Sequence, residues 1–201
     1  MFNVDELKNA AAEALNRPTS DIKGVRKLAE GGFNRVFEIT IEGASSILAR
    51  LPYPSTLPRR LAVASDAATL AFAHANGVPT PRVLDYAVDE NPVGAEYILM
   101  EKLPGRPIGD TWFNLSEEER LKVLLQLVTL EAKLFAIGLP ANGSIYYACD
   151  LPPDTLKVDI PGSGGGLCIG PYVAEQWWFG ERGELDIDRG PRKQCFCSQV
   201  V

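Results

Sequence analysis

Apolar residues at the start of the chain recur every three to four positions. Val4, Leu7, Ala11 and Leu15 share one face of a helix over 3–15, with Asn3 placed to cap it and Glu6 to complete a capping box. From residue 25 the period changes to two. The runs VRKLAE (25–30), RVFEITIE (35–42) and SILARL (46–51) read as three strands. Gly31-Gly32 joins the first pair and Glu42-Gly43 the second, which makes an antiparallel meander. The Pro-rich PYPSTLP (52–58) crosses to an Ala-rich helix over 59–76 that closes at Asn76-Gly77. VPTP (78–81) forces extended chain, and RVLDYAV (82–88) and AEYILME (95–101) follow as two more strands around the turn DENPVG. After the loop KLPGRPIGDTWFN, a capping box from Ser116 to Glu119 opens a helix over 117–137. Its apolar positions Leu121, Leu124, Leu125, Val128 and Phe135 predict a buried stripe. Past residue 140 the period is lost, and PGSGGG (161–166) reads as a flexible loop.

The order is helix, three strands, helix, two strands, loop, helix. It predicts an α+β fold with a five-stranded antiparallel sheet and one helix inserted after the third strand. Composition narrows the functions. A net charge of −6 favours neither nucleic acid nor an anionic membrane as partner. No apolar run approaches the ~20 residues of a membrane span. Asp5, Glu6 and Glu13 argue against a cleaved presequence and point to a cytoplasmic protein. Cys149, Cys168, Cys195 and Cys197 match neither a disulfide framework nor a zinc pair, and the single histidine, His74, leaves a Cys/His metal site poorly supplied. His74 on its Ala-rich helix reads as packed or half-exposed. Trp112, Trp177 and Trp178 read as packing anchors.

EGGFNRVFE (30–38) admits two readings. One is a hairpin turn whose glycines supply positive φ. The other is a glycine-rich lid whose backbone N–H groups cover a phosphate. The stretches KLAEGGFNRVFEIT, ILARLPYP, ASDAATLAF, GVPTPRVLDY, EYILMEKLPG and CIGPYVAEQWWFGERGELDIDRGP favour the second. In their order and spacing they resemble the aminoglycoside phosphotransferase superfamily, which is protein-kinase-like, and within it a fungal branch related to the altered-inheritance-of-mitochondria proteins.

The resemblance implies a kinase-like small lobe followed by the start of a helical large lobe. Residues 1–24 form an N-terminal helix and lead-in, and 25–103 the nucleotide-binding small lobe. Residues 104–191 hold the hinge, long helix and partial large lobe, and 192–201 form an unmatched tail. Gly31, Gly32, Phe33 and Asn34 fall at the tip of the phosphate loop, although the full G-x-G-x-x-G pattern is absent. Arg50 falls where kinases carry the phosphate-binding lysine, and Asp66 where they carry the acid that holds it. Both depart from the usual residue types. A solvated surface Arg and Asp is the alternative. Met100, Glu101, Lys102 and Leu103 match the hinge that binds an adenine edge through backbone groups, with Leu28, Val36 and Leu48 lining the ring.

The implied cofactor is ATP with Mg²⁺ and the implied acceptor a small hydroxylated molecule. A mitochondrial location follows from the resemblance alone. The H-G-D-x-x-x-x-N loop and the acidic metal motif of the family are not in the sequence, so no catalytic residue and no metal ligand is assigned. RGP (189–191) is followed by RKQCFCSQVV, which resembles nothing in the family and reads as an intron read-through or a shifted frame. The expectation is a truncated phosphotransferase that keeps the nucleotide lobe and transfers no phosphate. The alternative is a non-catalytic pseudo-kinase lobe that binds a protein.

Overall fold

The computed structural model describes residues 2–163 and 166–193. The tail from 194 onward, with Cys195 and Cys197, and two glycines of the 161–166 loop lie outside the described residues.

Helix α1 (Val4–Ala14) starts as the sequence predicts, with Asn3 Oδ1 accepting from the N–H groups of Asp5 (3.0 Å) and Glu6 (3.3 Å). The capping box does not close. The Asn3 N–H donates to Val93 O at 2.8 Å, and Glu6 Oε2 accepts from Asn9 instead. A tertiary contact has taken the donor that the box would have used. Leu7, Ala11 and Ala12 are buried, whereas Val4 is exposed.

The sheet is antiparallel throughout, in the order β1 (Ile22–Glu30), β2 (Asn34–Ile41), β3 (Ile47–Pro52), β5 (Tyr97–Glu101), β4 (Val83–Ala87). Its register sorts side chains onto two faces, because partners across a ladder share a face. Phe37, Ile39, Ile47, Ala49, Leu51 and Leu99 face one way and meet Leu7, Ala11 and Ala12 of α1. Val36, Glu38, Leu48, Arg50, Ile98 and Met100 face the other way. There Ile98 and Met100 pack with Val63, Ala64 and Ala67 of α2 (Leu61–Ala75). The predicted sheet with one crossing helix is therefore present, and α1 covers the opposite face. Each fully buried aliphatic side chain contributes about 1.5–3 kcal/mol of transfer free energy.

Helix α2 is apolar nearly all round, and packing on two sides accounts for it. One side meets the sheet. The other meets a small layer in which β7 (Ser144–Tyr147), β9 (Leu167–Gly170) and β8 (Val158–Asp159) form a three-stranded antiparallel sheet. Tyr146 and Cys168 join the α2–sheet cluster, while Ala68 packs with Ile145, Ile160 and Ile169. Alanines let both layers approach the helix closely. β6 (Ala141–Asn142) pairs with β10 (Arg192–Lys193). Gly143, at φ +157°, leads into β7, and a Cβ there would lie 2.4 Å from Gly170 O. These strands of two to four residues are too short to display a period.

Helix α3 (Glu117–Phe135) has its capping box: Ser116 Oγ accepts from Glu119 N–H, and Glu119 Oε2 accepts from Ser116 N–H at 2.8 Å. Its apolar stripe is not buried, contrary to the expectation. Leu121, Leu124, Leu125 and Val128 are between 47% and 59% exposed and Phe135 is 89% exposed. A helical period reports which face is apolar, and no described element packs on this one.

Candidate phosphate cleft and its charged pair

The turn between β1 and β2 is tied down by its own backbone. Gly31 N–H donates to Asn34 O at 2.9 Å, and Phe33 O accepts from Tyr53 N–H (2.9 Å) and Thr56 Oγ1 (2.8 Å). Neither Gly31 nor Gly32 has a positive φ. A Cβ at Gly32 would touch nothing, and at Gly31 its nearest neighbour would be Asn34 O at 3.9 Å. The positive-φ hairpin reading is thus not the reason for these glycines, nor is tight packing. Their effect is a stretch of backbone open to approach.

Beneath the turn lies a cleft of about 470 Å³. Gly32, Phe33 and Asn34 roof it, Ala62, Val63 and Asp66 of α2 form one side, and Val173, Glu175, Phe179 and Gly180 form another. Arg50, on the α2-facing side of β3, donates from Nη2 to Asp66 Oδ2. The two side chains face one another, as the sequence reading expects. The Arg50 side chain is 25% exposed and that of Asp66 48%. Loss of hydration raises the Asp66 pKa above its ordinary value, against the charge and hydrogen bond of Arg50, which lower it. Half-exposure means that solvent still screens the pair, so its contribution to stability is ~1 kcal/mol or less.

The remaining predicted residues divide. Met100 is buried and shares its face with Leu48 and Arg50. Glu101 pairs with Ile47 and so presents its side chain to the α1 side, where it meets Arg82. Only its backbone can serve the hinge role. Leu103 is exposed, and its backbone groups make no hydrogen bond to any other described residue. Val36 and Leu48 lie on the Arg50 face, and Leu28 sits at the irregularity between Lys27 and Ala29. His74 is exposed, with Nδ1 3.0 Å from Thr80 O. Trp177 is exposed as well, which corrects its reading as an anchor.

Two features of the site are absent from the residues that the sequence singles out. Glu38 is buried on the Arg50 face and accepts from Arg26 (2.8 Å) and Lys102. Hydrogen bonds from Lys102 and Arg26 pull its pKa below the ordinary range. The strand period places Glu38 inside with Val36, and that is the available signal. The wall from Val173 to Gly180 lies in the stretch CIGPYVAEQWWFGERGELDIDRGP, which carries the resemblance without marking any of these residues for the cleft.

The model of the phosphotransferase enzyme family matches residues 24–152. A subtelomeric hrmA-associated cluster protein of Aspergillus fumigatus is 40% identical over 169 residues, covering 83% of this chain and 32% of that protein. The protein named altered inheritance of mitochondria protein 9, mitochondrial, of Candida tropicalis is 30% identical over 173 residues, covering 78% and 28%. The chain thus spans about a third of the length of these curated relatives. Among solved structures, a putative aminoglycoside phosphotransferase from Ralstonia eutropha aligns with 19% identity and a TM-score of 0.38, over 53% of this chain and 29% of that one. The family match takes in nearly all of the five-stranded sheet, α2 and α3, well over half of the sequence, and the chain belongs to the phosphotransferase enzyme family.

Proposed function

We propose that this chain binds ATP as the nucleotide-holding part of a small-molecule phosphotransferase. The observation that carries the reading is the Arg50–Asp66 pair, formed between β3 and α2 beside a cleft roofed by open glycine backbone. The phosphates lie under Gly32–Asn34, where backbone can approach them, and the Arg50 fork neutralises part of their charge. Val36, Leu48 and Met100 offer the ring an apolar face, and the backbone of Glu101 and Leu103 its polar edge.

Mg²⁺ fits these residues poorly. No three His, Cys, Asp or Glu side chains among the described residues come together as a metal site. No His-Gly-Asp sequence occurs in the chain either. A missing general base alone costs ~10²–10⁴ in rate. The 201 residues are therefore expected to bind ATP and, on their own, not to phosphorylate a hydroxylated acceptor. The test is ATP titration of the purified chain, followed by incubation with Mg-ATP and a panel of small hydroxylated acceptors beside a no-protein control. Turnover that vanishes on changing Arg50 would refute the second half of this reading.

The exposed apolar stripe of α3 favours one other reading, a protein-binding lobe. That reading gains if ATP does not bind. Residence in mitochondria is proposed only from the names of the relatives, and imaging of the tagged chain tests it. No described helix is long and apolar enough to cross a membrane.

A further inference from the structure

Residues 172–189 form a loop with its ends tied together: Tyr172 N–H donates to Arg189 O at 2.8 Å. The root is fixed to the β7 strand, because Tyr146 Oη donates to Pro171 O (2.7 Å) and Val173 N–H to Ser144 Oγ (3.1 Å). Backbone turns and three side chains, Arg189, Trp178 and Arg182, hold the interior. The Arg189 guanidinium stacks 3.9 Å from the centroid of Trp178 and donates to Arg182 O at 2.6 Å, with longer contacts to Trp177 O. Trp178 Nε1 in turn donates to Tyr172 O at 2.8 Å, and Arg182 to Gln176 O at 2.8 Å. A loop with its ends in contact and packed by its own side chains is held as a unit.

The same loop supplies Val173, Glu175, Phe179 and Gly180 to the cleft under the glycine turn. The cleft keeps its volume of about 470 Å³ with the loop in place, so the loop is a wall and not a plug. We propose that residues 172–189 are the cap that closes the phosphate cleft opposite the glycine turn, and that Arg189 is the positioning residue that holds it there. The cap confines the phosphates against Arg50 and excludes water from that end of the cleft. Glu175 brings a second carboxylate to the wall beside Asp66. This inference rests on the nucleotide reading of the cleft, and its test separates the two.

The experiment uses the full chain carrying Cys149→Ser and Val63→Cys, with and without Arg189→Ala. Val63 lines the cleft, is 4% exposed and packs beside Val173. Labelling of the thiol introduced at position 63 is read peptide by peptide, and ATP affinity is measured on the parent chain with Val63 intact, with and without Arg189→Ala and with Arg189→Lys alongside. Arg189→Ala should speed labelling at that position several-fold and weaken ATP binding about tenfold, at an unchanged melting temperature. Lys keeps the charge and loses the stacked fork, so Arg189→Lys should fall between. Unchanged labelling overturns the hold by Arg189. Faster labelling with unaltered ATP affinity overturns the role of the loop as a phosphate wall. If the parent chain binds no ATP, the nucleotide reading fails and the wall's phosphate role with it. The labelling rate then still decides whether Arg189 holds the loop over the cleft.

Discussion

Replacing Arg50 by Ala tests the site most directly. The change removes a guanidinium that is 25% exposed and bonded to Asp66, on the sheet face that carries Val36, Leu48 and Met100. A hydrogen bond to a charged group contributes about 1.5–3 kcal/mol when its partner is anionic. Arg50 is partly hydrated and already shares its fork with Asp66, so the lower end applies. A loss of ~1.5 kcal/mol corresponds to about a tenfold rise in Kd for ATP. Stability should change less. Asp66 loses its partner but remains 48% exposed, so solvent screens most of the effect, and a cost of ~1 kcal/mol would lower Tm by about 2–4 °C. Calorimetric titration with ATP measures the first quantity and a thermal melt the second. Arg17→Ala supplies the control, because Arg17 pairs with Asp21 and reaches Glu42 O at the opposite end of the β1–β2 pair from the glycine turn. If Arg50→Ala binds ATP within twofold of the parent while Arg17→Ala does the same, Arg50 has no phosphate to meet.

The sheet is legible because β3 alternates buried and half-buried positions, so a period of two survives there, and β4 and β5 are short apolar runs bounded by turns. VRKLAE, RVFEITIE and SILARL match β1, β2 and β3 closely, although β1 begins three residues earlier, at Ile22. Arg50 and Asp66 are legible for the same reason: one sits at a fixed step along a strand and the other on the helix that crosses it. What is not legible depends on contacts distant in sequence. The Ala richness of α2 reads as helix propensity, yet its cause is a second layer, Tyr146, Leu151 and Cys168, packed on its far side. The stripe of α3 reads as buried only if amphipathicity implies a partner, and it does not. The loop at 172–189 has no period, since side chains bonded to backbone carbonyls and short backbone turns hold it, and carbonyls leave no mark in a sequence.

Leu99 is fully buried in the cluster that joins the sheet to α1, so Leu99→Ala should cost about 2–5 kcal/mol in denaturant unfolding, whereas Leu127→Ala on α3 should stay within ~0.5 kcal/mol. Asp66 gives a pH signature. Its folded pKa is raised, so as pH climbs past the ordinary aspartate value the unfolded chain loses this proton first, and stability falls until the folded pKa is passed. Asp66→Asn should remove that part of the slope and Arg50→Ala should steepen it; identical pH–stability curves for all three proteins would refute the assignment. The last expectation concerns α3. Its capping box and the Lys122–Glu118 pair at 2.7 Å are local, and a helix of this length held only by local terms is marginal in water. Backbone amides of residues 117–135 should therefore exchange much faster than those of α2, which has packing on two sides. Ser116→Ala should quicken them further, by an amount matching ~1 kcal/mol of lost cap. Protection in α3 equal to that of α2 in dilute solution would mean that something covers the stripe. In that case Leu121→Lys with Leu125→Lys should abolish the protection, and a sedimentation coefficient that falls with it would identify the cover as a second copy.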